Sequence, residues 1–241
     1  MDRSTSTTLK VVPTPPLPGQ VLVVAPDGSY GPTDLTLDML GPAFVITSFG
    51  AAVPVLEAGQ TATTPAFVAS YSSVPDSAPN SVVLTDSVPS APKDVSATPT
   101  SFASAGSFVL AAYGSAVVFT LTAKKGAITK VATAPIVALQ RAYWGVGAAG
   151  GSTQAFIKAL AGQALVSTKA RTFTVTAGLT DKIYYAVRSA YGAVTFYVGG
   201  FEGGFEAPTT IAVTNAYGVT ENYDLYESTN PNLGLTTVQA V

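Results

Sequence analysis

Along most of the chain apolar and polar residues alternate with a period of two, the pattern of strands that bury one face. Ala66–Tyr71 sets Phe67, Ala69 and Tyr71 against Ala66, Val68 and Ser70. Similar short runs recur at Phe44–Phe49, Val82–Leu84, Val95–Thr98, Phe102–Leu110, Val117–Ala123 and Ile128–Ala134. Turn signals separate them at Glu57–Gln60, Asp86-Ser87, Gly114-Ser115 and Lys124-Lys125-Gly126. About seven short strands between punctuating turns predict an immunoglobulin-like β-sandwich over residues 41–135. The Cys…Trp…Cys hallmark is missing, so it is not an antibody-type domain in the strict sense.

Residues 136–241 read as a second antiparallel β domain with one short helix. The expected strands are Thr172–Thr176, Ile183–Val187, Val194–Val198, Thr210–Thr214, Thr220–Tyr226 and Thr236–Gln239. A helix is expected near 152–161, with Ser152 as its cap and Phe156, Ile157, Leu160 and Leu165 near one face. Residues 1–40 read as an extended Pro-rich arm. Pro13, Pro15, Pro16 and Pro18 forbid a helix, Val21 and Val23 lie in a short strand, and Asp27-Gly28 marks a turn. The fold class is therefore all-β, with the arm read either as a segment that orders by lying on a neighbour or as a floppy terminus.

Composition sharpens this picture. Of 241 residues only 11% are charged, against roughly 25% in an ordinary soluble protein, while 47% are hydrophobic and 10% aromatic. The chain has neither Cys nor His. That excludes disulfides, His- or Cys-ligated metals, the Ser-His-Asp triad and Cys-His nucleophiles. With 12 Lys+Arg, 14 Asp+Glu and net charge −2, there is little material for a nucleic-acid-binding face. The N-terminus lacks the apolar core of an export signal. The longest charge-free stretch, Thr98–Ala123, is broken by Pro99, Gly106 and Gly114, so membrane insertion is not expected. Low charge gives little repulsion between copies, which favours burial of surface against copies of the chain or another partner.

Candidate chemistry is sparse. Gly199-Gly200-Phe201-Glu202-Gly203-Gly204-Phe205-Glu206 lacks the Lys and hydroxyl of a phosphate loop. It reads as a bulged loop with Phe201 and Phe205 anchored in the core, or as a contact loop for a partner or glycan. Glu202 and Glu206, four residues apart on glycine-rich backbone, have no reason to oppose each other as a glycosidase pair. Glu221, Asp224 and Glu227 lie along one strand and read as a solvated face. The tyrosines after residue 180 suit cross-strand packing or sugar stacking. The contact candidates are Phe201, Glu202, Phe205, Tyr217 and Tyr226. No catalytic residue, metal site or cofactor is expected, and the chain is not read as an enzyme.

The C-terminal half carries a resemblance. Its elements are Arg171–Val175, Ile183-Tyr184-Tyr185-Ala186, Tyr191-Gly192, Phe196, Val198–Phe205, Val213-Thr214-Asn215, Thr220–Tyr223, Tyr226, Ser228-Thr229-Asn230 and Leu233-Gly234. In order and spacing this half resembles the C-terminal β domain of tailed-bacteriophage virion structural proteins, including tail- and fibre-associated ones. The upstream domain is similar to the immunoglobulin-like modules that precede it there. The resemblance implies a multi-copy particle component, assembled in the host cytoplasm and located in the virion. Its implied partners are copies of itself, with a homotrimer expected, and other virion proteins; the alternative reading is a host-receptor module of a phage fibre that binds surface glycan through the tyrosine-rich C-terminal domain. It carries over no catalytic residues.

Overall fold

The structure, a computed structural model, describes residues 20–24, 30–34, 44–72, 78–88 and 92–241. It is β almost throughout, as the period-two pattern predicts. Gln20–Val24 (β1) and Tyr30–Asp34 (β2) pair antiparallel, with Val21 opposite Thr33 and Val23 opposite Gly31. Part of the expected extended arm is thus a two-stranded sheet. Pro13, Pro15, Pro16, Pro18 and the Asp27-Gly28 turn lie outside the described residues.

The next strands are β3 (Val45–Ala51), β4 (Val55–Glu57), β5 (Thr61–Thr63), β6 (Ala66–Ser72), β7 (Ser81–Asp86) and β8 (Lys93–Asp94). They are followed by β9 (Ser101–Ala103), β10 (Ser107–Val109), β11 (Ala116–Lys125) and β12 (Ile128–Ala148). Two expectations need correction. Val95–Thr98 is not a strand, because Asp94 Oδ1 accepts from the Ser96 amide at 2.9 Å and turns the chain. Phe102–Leu110 is not one strand either. Ser104 is buried, its amide donates to Pro65 O and its hydroxyl to Gly106 O. The chain therefore breaks there, sending β9 to pair with β6 and β10 to pair with β5.

Phenylalanines fill the first core. Phe67 on β6 and Phe119 on β11 meet at 4.5 Å between ring centroids, and Phe49, Phe102 and Phe108 stack or tilt against them. Alternation explains which residues turn inward: Val117, Phe119, Leu121 and Ala123 are buried along β11.

Past β12 come a helix, α1 (Gln154–Ala159), and β13 (Gly162–Val166). Thr153, not Ser152, caps α1: its hydroxyl accepts from the Phe156 amide at 3.1 Å. Leu165 belongs to β13 rather than to the helix face. Gly162 is where helix gives way to strand. Its Cα lies against the Trp144 indole, so close that a Cβ would fall 2.2 Å from Nε1. Then follow β14 (Arg171–Ala177), β15 (Asp181–Arg188), a 3-10 turn at Ser189–Tyr191, and β16 (Phe196–Val198). The last strands are β17 (Phe201–Glu202), β18 (Thr209–Thr214), β19 (Thr220–Glu227) and β20 (Gly234–Ala240).

β12 organises the molecule. Its first part pairs with β11, its middle runs parallel to β4, and its end pairs with β13 and β15. One sheet therefore runs in the order β18-β19-β15-β12-β11-β7-β8. A second, β14-β20-β16-β17, covers one face of its C-terminal part. β15 is buried on both faces. Ile183, Tyr185 and Val187 pack with Phe173, Phe196 and Val238 of the covering sheet, while Tyr184 and Ala186 pack with Ile157 and Leu160 of the helical region.

Candidate functional site

The glycine-rich loop is built as a tight connection and an exposed tip. Gly199, Gly200, Gly203 and Gly204 all have positive φ, which only glycine adopts without strain. Val198 and Phe201 pair across the turn. Phe205 stacks on Phe196 at 4.0 Å and makes a bridge to Ser228, so it anchors the loop as expected. Phe201 does the opposite: it is 82% exposed, because β17 is an edge strand that reaches past the core. Glu202 is exposed beside it.

Beneath this loop lies a groove of about 350 Å³. Phe196, Phe205, Tyr226 and Pro208 line it, together with Glu202 and Glu206. The structure thus brings Glu202, Phe205 and Tyr226 together. Tyr226 is only 4% exposed, and its hydroxyl accepts from the Val194 amide, so it forms the groove's floor rather than a presented ring. Tyr217 lies apart, 45% exposed on the turn between β18 and β19.

The other tyrosines of this half tie backbone segments together. Tyr184, Tyr185 and Tyr223 are buried, and their hydroxyls donate to the carbonyls of Ala148, Lys169 and Arg141 at 2.7–2.8 Å. Burial pushes the Tyr185 phenol up to about 12 and raises Tyr223 further. The acidic strand also departs from expectation. Glu221 pairs with Arg188, Glu227 with Lys182, and Asp224 accepts from Ser189 and Thr210. It is not a solvated face, because β19 is covered on both sides at Tyr223–Tyr226.

A third cluster was not singled out in the sequence. Glu57, 3% exposed at the end of β4, accepts from Arg141 Nε at 2.8 Å. Asn215, before β19, donates from Nδ2 to Ala58 O at 2.7 Å and accepts the amides of Tyr217 and Val219. Gly59 has φ +87°, and a Cβ there would lie 2.8 Å from both Tyr217 Cβ and Val219 Cγ2. The β18–β19 turn is thus seated on the β4–β5 turn of the first core. On another side Tyr113 meets Tyr191 edge-on at 5.7 Å and carries the Arg188 guanidinium over its ring. The only local hint was Gly59 in a turn and Asn215 before Tyr217-Gly218. The pairing spans 157 residues, which local pattern does not encode.

Among the described residues, no group of acidic side chains could hold a metal ion, and no helix is long and apolar enough to cross a membrane. No family model matches the chain, and no curated protein matches it.

Proposed function

We propose that the chain is a structural component of a tailed-phage virion, at the tail fibre, neck or another particle position, acting through self-association and docking rather than bond-making. The observation that carries this reading is how the buried polar groups are used. Glu57, Asn215, Ser104, Tyr184, Tyr185 and Tyr223 all bond to backbone or to an ion partner that fixes one segment on another. They rigidify a shape. The low charge and the resemblance of the C-terminal half point the same way. In this reading the phenylalanine-filled part is the immunoglobulin-like sandwich and the tyrosine-rich part the second β domain, with the Pro-rich arm contacting a neighbour. Antibody labelling of particles from an infected culture tests it. Label on intact particles supports the reading; label confined to soluble host fractions overturns it.

A second reading, a host-receptor or glycan-binding module on the same particle, draws on the exposed rings of Phe201 and Tyr217. Exposed aromatics are suited to stacking on sugars. Phe201→Ala combined with Tyr217→Ala separates the two. Lost adsorption by particles that assemble normally favours receptor binding, and unchanged adsorption removes it.

A further inference from the structure

Two sets of charge stand without partners on different parts of the molecule. Among the described residues, the Glu202 and Glu206 carboxylates make no hydrogen bond or ion pair, nor do the Lys124 and Lys130 ammonium groups. By contrast, Glu57–Arg141, Lys182–Glu227 and Arg188–Glu221 are ion pairs within the molecule. Glu202 and Glu206 line the groove whose walls include Phe205 and Pro208. No lysine or arginine lines it. Such a groove fits a cation on an aliphatic stem, with the head at the carboxylates and the methylenes on the rings.

The β11–β12 tip supplies cations of that kind. Lys124 pairs in register with Thr129, and Lys130 with Ala123, so the two lysines leave opposite faces of the tip. Between them the turn is Gly126-Ala127, small enough to enter a groove of about 350 Å³. The tip is also pre-shaped, because Asn80 Oδ1 accepts from the Gly126 amide at 2.9 Å. A rigid tip loses little entropy on docking. Tip and groove do not meet within one molecule. The tip begins β12 beside the first core, whereas the groove belongs to the second core, beyond the stretch of β12 from Ile128 to Tyr143. At about 3.3 Å per residue that stretch spans up to about 50 Å.

We infer that copies of this chain associate head to tail, the lysine-bearing β11–β12 tip of one entering the Glu202/Glu206 groove of the next. The inference rests on the self-association proposed above and adds its chemistry. The contact joins two different surfaces, so it repeats: it closes into a ring, which at three copies is the expected trimer, or it continues as a filament.

Sedimentation velocity of the full chain over a concentration series tests it, in low and high salt, with two charge-reversed variants. Glu202→Lys/Glu206→Lys and Lys124→Glu/Lys130→Glu should each weaken association at least about tenfold. An equimolar mixture should regain association as pairs and alternating chains, because each variant's tip then meets an oppositely charged groove, whereas a closed ring of three, in which two variants cannot alternate, should not re-form. The neutral pair Glu202→Gln/Glu206→Gln should weaken association without introducing repulsion, and circular dichroism checks that every variant is folded. Wild-type association that neither variant weakens, or that the mixture fails to recover, overturns the head-to-tail contact and leaves a self-associating particle protein in place. A wild-type chain that is monomeric throughout overturns both.

Discussion

The two cores are built on different aromatic chemistry. The first is filled by Phe49, Phe67, Phe102, Phe108 and Phe119, whose rings offer area and no directional bond. In the second, Phe173 and Phe196 are joined by Tyr184, Tyr185, Tyr223 and Tyr226, each tyrosine with its hydroxyl bonded to a backbone group. A phenylalanine core holds two sheets together but does not specify where an outside segment crosses. A tyrosine core does both: Tyr185 pins the backbone at Lys169, and Tyr223 pins the middle of β12 at Arg141. That difference matches the architecture. The second core must hold a helix, a covering sheet and several long turns in register.

The largest expected effect belongs to the first core. Phe119→Ala removes a fully buried ring and should lower unfolding free energy by about 3–5 kcal/mol, measured by chemical denaturation. Next comes the joint between the cores, where the loss should be asymmetric. Arg141→Ala leaves the Glu57 carboxylate buried and unpaired, at a cost of about 3 kcal/mol. Glu57→Ala should cost less, because the Arg141 side chain is 34% exposed and water can reach it. Equal losses would contradict the placement of this pair.

Alkaline titration separates the cores by chemistry. The folded state holds Tyr185 neutral up to about 12, above its ordinary value of about 10. Its contribution is therefore complete below pH 10 and is lost as pH rises through about 12. Trp144 packs against Phe173 and under Arg171 in the second core, and it is the only tryptophan. Its emission should shift together with tyrosinate absorbance between pH 10 and 12. All eleven tyrosines titrating together near pH 10, with no change at Trp144, would contradict the burial of Tyr185. The smallest effect is a gain. Gln140 is buried with Nε2 lacking a hydrogen-bond partner, so Gln140→Met should stabilise the fold by about 1 kcal/mol.

The strands were legible because alternation is local: Phe67/Ala69 on β6 and Phe119/Leu121 on β11 show their inward faces without knowledge of their partners. Other features depended on what covers a strand. β19 looked half-solvated, yet Tyr223 and Tyr226 are both buried, because one of its faces packs on the helical region and the other on the covering sheet. Phe201 looked like an anchor, but whether an aromatic points inward at a sheet edge depends on where the opposing layer ends. The break at Ser104 follows from a hydrogen bond to Pro65 O, and the Glu57–Arg141 pair joins residues 84 positions apart. The groove holding Glu202 and Glu206 takes its walls from three separate segments, 193–196, 202–208 and Tyr226.

The most direct test of the proposal that this chain works by shape and association is the mass of the purified 241-residue chain at successive dilutions. A species several times the 24.4 kDa chain, which returns to the monomer only on dilution or added salt, is the expected result. A single 24.4 kDa species at every concentration would contradict the account.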